Sequence, residues 1–183
     1  MAPRKQQHIL DTTLALLAER GYDRLTIESV AERSGVNKTT LYRWWPSKPA
    51  LLADALIQAR ALDFGVPDTG SLEGDLLGLA EAIAALLTTP PTAGIAVAAL
   101  AASAQHPELA TSVRAFFADR IARERPVFDR AVARGELRPD ADPMTIVDLV
   151  AGAVWLRAVF RGQPVDEAFL RDVVRLALHG SAL

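Results

Sequence analysis

Residues 26–48 read TIESVAERSGVNKTTLYRWWPSK, and this stretch decides the fold. It predicts two short helices, Thr26–Ser34 and Asn37–Trp45, because each begins at a residue that caps helices well. Gly35 allows the sharp turn between them, since glycine adopts a left-handed backbone conformation without strain. Pro46 ends the second helix.

Apolar side chains recur within this stretch at the spacing that packs one helix across the other. Ile27, Val30 and Ala31 are expected to face inward on the first helix, and Val36 and Leu41 to hold the second helix against it. Ala31 has to be small because the two helices are expected to cross closely there. A small residue, a glycine turn and apolar residues on both sides are typical of a helix-turn-helix.

The outer surface of the second helix carries groups that bind DNA. Lysine and arginine donate to guanine edges or phosphates, threonine contacts base edges or phosphates, and a tyrosine hydroxyl reaches a phosphate oxygen. The free amides at helix N-termini also bind phosphate. Trp44 has two interpretations, since it either packs beside Trp45 or projects towards DNA. The predicted DNA contacts are Thr26, Asn37, Lys38, Thr39, Thr40, Tyr42, Arg43 and Lys48.

The charge distribution agrees with a DNA-facing N-terminal end. Residues 1–48 have eight basic and five acidic side chains, a net charge of +3, whereas the whole chain has a net charge of −2. The competing interpretation is a three-helix bundle that binds no DNA, but such a bundle more often carries glutamates and mixed charges on this surface. The clustered basic groups favour DNA binding.

The rest of the chain predicts more helices, because alanine and leucine dominate and apolar residues recur at helical spacing. The chain is therefore predicted to be all-α, with about nine helices. Pro126 is expected to kink or break the seventh of them. Residues 64–71, with two glycines and a proline, are the candidate linker between domains. The seven helices outside the quoted pair are expected at residues 4–20, 47–62, 72–87, 93–104, 107–134, 143–161 and 167–179.

The N-terminal region resembles the TetR family of bacterial regulators. Asn37 replaces the usual serine of that family and keeps the capping oxygen, and Trp45 replaces the usual phenylalanine. The loop 135–143 also resembles one common type of TetR C-terminal domain. The N-terminal resemblance is carried by Gly21-Tyr22, Leu25-Thr26-Ile27, Val30-Ala31, Ser34-Gly35-Val36, Leu41-Tyr42, Trp45-Pro46-Ser47-Lys48 and Leu51-Leu52.

The resemblance implies both architecture and function. Residues 1–48 would form a three-helix, helix-turn-helix DNA-binding domain, the helix 47–62 would connect it onward, and residues 63–183 would form a larger helical domain for ligand binding and dimerisation. The expected molecule is a homodimer on double-stranded DNA with a palindromic operator. It is expected to act as a repressor that a small apolar ligand releases, with activation as the opposite sign of regulation.

The resemblance implies a ligand pocket and a dimer interface in the C-terminal region, each formed mainly by apolar residues. The alternative is that these residues simply form the core, as most apolar residues of a helical protein do. Candidate polar anchors for a ligand are His106, Arg120, Asp148 and Arg157. The ligand pocket among helices five to eight is expected to include Leu79, Ile83, Leu100, Phe117, Ile121, Phe128 and Trp155. The dimer interface on helices eight and nine is expected to include Val147, Val150, Val154, Leu170, Val174 and Ala177.

Other classes of protein find little support. The chain has no cysteine, its three histidines are far apart, and no nucleophile with an activating base or phosphate-binding loop is evident, so no enzyme, metal or cofactor is expected. No signal peptide is recognisable, and charge or proline is expected to interrupt every apolar stretch before membrane-spanning length. A cytoplasmic protein without a membrane partner is expected. The rival hypothesis is a helical small-molecule carrier or enzyme with a vestigial helix-turn-helix.

Overall fold

The computed structural model describes residues 5–58, 62, 65 and 67–179, and in these ranges it contains helices and no β-strand. The predicted all-α fold is confirmed. The helices of the described ranges are α1 (Gln6–Arg24), α2 (Ile27–Ser34), α3 (Lys38–Trp44), α4 (Lys48–Gln58), α5 (Leu72–Thr88), α6 (Thr92–Ser103), α7 (Pro107–Arg134), α8 (Pro143–Trp155) and α9 (Glu167–His179).

The first compact unit combines Met1–Asp63 with Thr89–Asp119. Helix α1 packs against α2, α4 and α6 within it. Close approach of α6 to α1 depends on Gly94, where an added Cβ would lie 3.3 Å from the Cβ of Ala18. Removing the apolar side chains of α1 from water is the main stabilising contribution. Its fully buried apolar residues are Ile9, Leu10, Leu14, Leu16 and Leu17.

The second compact unit combines Phe64–Thr88 with Arg120–Leu183, and in it α5 packs against α8 and α9. A buried carboxylate fixes the turn that leads into α5. Asp75 Oδ1 accepts hydrogen bonds from the Thr69 amide at 2.6 Å and the Thr69 hydroxyl at 2.8 Å. Its other oxygen lies 3.6 Å from Arg130 Nη2, so the buried charge has a cation beside it.

Helix α7 contributes to both units, with the division after Asp119. It runs from Pro107 to Arg134 without interruption, so it does not break at Pro126, and the alternative expectation of a kink there stays a prediction. A proline removes one backbone hydrogen bond from a helix. Pro126 is exposed, and the remaining backbone hydrogen bonds of the 28-residue helix maintain it.

The two compact units do not coincide with the division predicted near residue 63. Residues 89–119, which contain α6 and the start of α7, group with the N-terminal helices. A compact unit is defined by packing and a functional domain by its activity, so the predicted functional boundary stays a prediction.

The predicted eighth helix changes its helical type near its end. The residues after α8, Leu156–Phe160, form one π-helical turn, in which the Arg161 amide donates to the Leu156 carbonyl at 2.9 Å. The segment Pro143–Phe160 has 18 residues with a mean hydropathy of 1.5, and only 17% of it is buried. By length and composition alone it could cross a membrane. The expectation that every apolar stretch is too short is therefore wrong for this segment.

Candidate nucleic-acid interface

Side-chain caps fix the start of both helices of the quoted stretch. The Thr26 Oγ1 atom accepts from the Ser29 amide at 3.1 Å, and the Ser29 hydroxyl oxygen accepts from the Thr26 amide at 3.2 Å. The Asn37 Oδ1 atom accepts from the Thr39 amide at 2.9 Å. Both predicted caps are confirmed. Because Asn37 uses only its carbonyl oxygen here, its side-chain NH2 group is left to donate outward.

The turn between α2 and α3 has the predicted geometry. Gly35 has φ 63° and ψ 29°, the left-handed conformation that glycine tolerates best. Val30 and Leu41 are fully buried on the two sides of the turn, whereas Ala31 and Val36 are only partly buried. The main apolar contribution to positioning α3 therefore comes from Val30 and Leu41.

Helix α3 presents cationic and hydroxyl groups to solvent. Lys38, Thr39 and Arg43 are exposed, and Thr40 is partly exposed. Within the part of the chain that the structure describes, neither Lys38 nor Arg43 forms an ion pair. Their charges are therefore available to phosphates or to guanine edges.

Tyr42 is exposed, but its hydroxyl already has an acceptor. It donates to Glu28 Oε1 of α2 at 3.1 Å, and this hydrogen bond is the main reason why the pKa of Tyr42 is raised. A contact from the Tyr42 hydroxyl to a DNA phosphate would require this bond to open, or the phosphate to approach the hydroxyl through a water molecule.

The two adjacent tryptophans have different environments. Trp45 is 3% exposed, and its Nε1 donates to Asp54 Oδ2 of α4 at 2.8 Å. Trp44 is 37% exposed. Trp45 therefore joins α3 to α4, while Trp44 is available for contact beside Arg43 and becomes an additional candidate DNA contact.

Lys48 is engaged inside the first unit. Its Nζ donates to the Tyr22 carbonyl at 2.9 Å and lies 3.9 Å from the centre of the Tyr22 ring. Such a cation over an aromatic face is stabilising. The predicted phosphate contact of Lys48 stays a prediction, and the structure gives this lysine a second role. An ammonium group has three donors, and the Tyr22 carbonyl accepts from one of them.

The Tyr22 ring is the centre of a polar cluster that sequence reasoning missed. Its hydroxyl donates to Glu108 Oε1 of α7 at 3.2 Å, and the His106 ring lies 4.6 Å away between centroids. His106 Nε2 is 3.0 Å from Asp23 Oδ1. Burial, followed by the charge of Glu108, raises the pKa of Tyr22 to about 12. The cluster ties the end of α1 to the α6–α7 turn, so His106 serves that contact.

The predicted ligand-pocket residues are divided between the two units. Leu100 and Phe117 belong to the first unit and are exposed. In the second unit, Leu79 and Phe128 are buried, whereas Ile83, Ile121 and Trp155 are partly buried. The pocket that contains these seven residues stays a prediction.

The other candidate ligand anchors have different environments. Asp148 is exposed, and Arg157 donates from Nε to the Pro164 carbonyl. Arg120 is buried, and so is Glu124, which sequence reasoning missed. Glu124 lies four residues before Phe128 on the face that also carries Ile121, and this helical spacing could have revealed its position.

Burial corrects most of the predicted dimer contacts. Four of the six residues lie in the core of the second unit, where a partner subunit cannot reach them, because their faces of α8 and α9 pack on α5 and on each other. Val147 and Ala177 are partly exposed and stay predicted contacts. The four buried residues are Val150, Val154, Leu170 and Val174.

Comparison with known proteins covers both ends of the chain. The family model of bacterial regulatory proteins of the tetR family matches residues 9–55, and that of the tetracyclin repressor-like C-terminal domain matches residues 66–177. The DNA-binding transcriptional repressor TetR of Mycobacteroides abscessus is 35% identical over 173 residues, which cover 91% of this chain and 87% of the relative.

Two solved structures have the same fold over nearly the whole chain. The TetR family transcription regulator SCO0332 has a TM-score of 0.79 and 36% identity, with 98% of this chain and 100% of that chain covered. The transcriptional regulator FadR from Bacillus subtilis, solved in complex with stearoyl-CoA, has a TM-score of 0.72 and 18% identity, with 96% and 98% covered. The second likeness is one of fold.

Proposed function

This chain belongs to the TetR family of transcriptional regulators, and from that premise we propose that it is a dimeric repressor. In this proposal it binds a palindromic operator and is released by a small, mainly apolar ligand. Members of the family are regulators and not enzymes. The cytoplasm, where the DNA is found in bacteria, is the proposed location.

The exposed surface of α3 is the observation that carries the proposal. Lys38 and Arg43 project from a helix that is capped at Asn37 and held by Leu41. A fixed helix loses little conformational freedom when it enters the major groove. Lysine and arginine supply attraction to phosphates, and a bidentate arginine can also distinguish guanine from other bases.

A palindromic operator follows if the protein acts as a symmetric dimer. Two copies of α3 related by a two-fold axis would enter successive major grooves, about 34–36 Å apart on one face of the duplex. Each half-site would then be read by one copy of Lys38, Thr39 and Arg43.

An exposed apolar surface supports dimerisation through α8 and α9. We define it as Leu149 of α8, Leu156 and Phe160 of the π-helical turn, and Leu176 of α9, all of which are exposed within the second unit. Single exposed apolar residues are ordinary, but a run of large ones on adjacent helices is typical of an interface. This surface also accounts for the apolar character of Pro143–Phe160 without a membrane.

Ligand sensing has support from the fold. A neighbour of the same fold has been solved with stearoyl-CoA, a ligand with a long apolar chain. In this chain, the proposed ligand shifts the conformational equilibrium only to the extent that it prefers the conformation with low operator affinity. Release of the operator is the expected result.

Selection of bound sequences from random duplex DNA tests the proposal. We expect the selection to enrich a palindrome with two half-sites. The salt concentration is held fixed, because phosphate contacts make DNA binding salt-dependent. The matched control is the double variant Lys38→Ala, Arg43→Ala, which changes exposed groups and should keep the fold. Enrichment of a single, non-repeated motif would contradict the dimeric mode, and binding by the control equal to the wild type would contradict the assignment of α3.

A further inference from the structure

Two ionisable side chains are buried next to each other on α7 within the second unit. Arg120 is 5% exposed and Glu124 is 6% exposed, and they lie one helical turn apart. Val127 and Phe128, which follow on the same side of the helix, are also buried. Charged residues are rarely buried to this extent unless they are paired or functional.

The carboxyl group of Glu124 is incompletely satisfied. Its Oε2 atom is buried and receives no hydrogen bond from any residue that the structure describes. A buried acceptor without a donor is costly, and native proteins contain few of them. This oxygen therefore needs an explanation beyond packing.

Arg120 does not supply that explanation. A glutamate whose role is to pair with arginine has its charged form stabilised and its pKa lowered. Here burial raises the pKa of Glu124 to about 7, and the charge of Arg120 offsets only part of that increase. The negative charge of the Glu124 carboxylate is therefore only partly balanced by Arg120. A positively charged hydrogen-bond donor would balance this charge and also donate to the free Oε2 atom.

We propose that Glu124 is the polar anchor of the ligand site, and that the ligand is a lipophilic amine whose ammonium group donates to Glu124. This inference rests on the proposed ligand-sensing function and names the chemical class of the ligand. The apolar part of the amine would lie against the apolar side chains that flank Glu124 on α7. A neutral alcohol would supply a donor without the charge, and a carboxylic acid would bring a second negative charge beside the first.

The proposal has a signature in pH. The amine binds the ionised form of Glu124, so the carboxyl group must release its proton when the amine binds at neutral pH. With a pKa of about 7 in the free protein, the ionised fraction rises about tenfold from pH 6 to pH 8, and the affinity for the amine should rise by about the same factor. The amine itself stays protonated over this range.

The experiment compares n-octylamine, octan-1-ol and octanoate as probes of the intact protein. Binding is followed by calorimetry at pH 6 and pH 8, with wild type, Glu124→Gln and the matched control Asp129→Asn, which removes an exposed carboxylate from the same helix. We expect octylamine to bind wild type and the control most tightly, with about a tenfold gain from pH 6 to pH 8. Glu124→Gln should lose this gain and the preference for the amine.

Operator binding is measured on the same preparations. It separates failure of the amine inference from failure of the proposed regulatory function. If octan-1-ol binds but octylamine shows no preference and no pH dependence, the amine inference is overturned while ligand sensing stands. If none of the probes binds although the operator does, ligand sensing and this inference both fail while DNA binding stands. If wild type and Glu124→Gln bind octylamine equally at both pH values, the proposed role of Glu124 is overturned. Thermal unfolding of both proteins shows whether a loss of binding in the variant comes from misfolding.

Discussion

The replacement Glu124→Gln makes a quantitative prediction about folding, independent of any ligand. The pKa of Glu124 rises from 4.5 to about 7 because burial disfavours its charged form. One unit of pKa corresponds to about 1.4 kcal/mol, so the ionised carboxylate should cost roughly 3 kcal/mol of the free energy of unfolding at alkaline pH. Glutamine has nearly the same shape and no charge, and it removes this cost.

The sign follows from proton binding. Between pH 4.5 and about 7 the folded protein holds the Glu124 proton more tightly than the unfolded chain does. Stability from this group is therefore fully present below pH 4.5 and is lost as pH rises through 7. Wild type and Glu124→Gln should be similarly stable near pH 4.5, and the variant should be more stable by roughly 3 kcal/mol at pH 8.

Urea denaturation from pH 4.5 to pH 8 measures the effect. The protomer concentration is held constant, because the stability of a dimer depends on it. Asp129→Asn on the exposed side of α7 is the control and should follow the wild-type curve. Parallel curves for wild type and Glu124→Gln, or a less stable variant at pH 8, would refute the argument that burial dominates the environment of this carboxyl group.

Three further replacements test the proposed function. Arg43→Ala should weaken operator binding by ~1–3 kcal/mol in a titration if Arg43 reads a guanine; an equal loss on random DNA would assign it to a phosphate. Lys48→Ala should lower the thermal stability, because it removes the contacts with Tyr22. The same replacement should reduce the slope of log operator affinity against log salt concentration by about 0.9, the value for one phosphate contact. An unchanged slope would show that Lys48 has only a structural role. Phe160 is 68% exposed, and Phe160→Arg should yield monomers in analytical ultracentrifugation. The nearby control Gln163→Arg should stay dimeric, and a dimeric Phe160→Arg protein would contradict the proposed interface.

Local chemistry explains why the helix-turn-helix could be predicted from the sequence. The cap at Asn37 and the turn at Gly35 depend on residues within a few positions of one another, and both have the expected geometry. The burial of Leu41 also follows from local spacing, because α3 has few ways to pack on α2.

The environments of residues that contact distant segments could not be predicted in the same way. Val150 and Val174 lie on apolar stripes that the sequence assigned to a partner subunit, but the chain's own helices cover them. A helical stripe shows that a face is apolar and does not identify what packs on it. Lys48 likewise contacts Tyr22, 26 residues away, and no local pattern specifies that pairing. Glu124 was missed because its charge alone suggests a surface residue, although its spacing from Ile121 and Phe128 places it on the apolar face of α7.

The packing of α6 against α1 has a practical consequence for protein engineering. A chimeric regulator made by transplanting residues 1–48 onto another C-terminal domain would leave behind the helix that meets Ala18 at Gly94. The apolar surface of α1 would then face water, and the transplanted segment would be prone to aggregate. A graft of residues 1–63 together with 89–119 would include both α4 and α6 and so carry its own cover, and the transplantable module is therefore discontinuous in sequence.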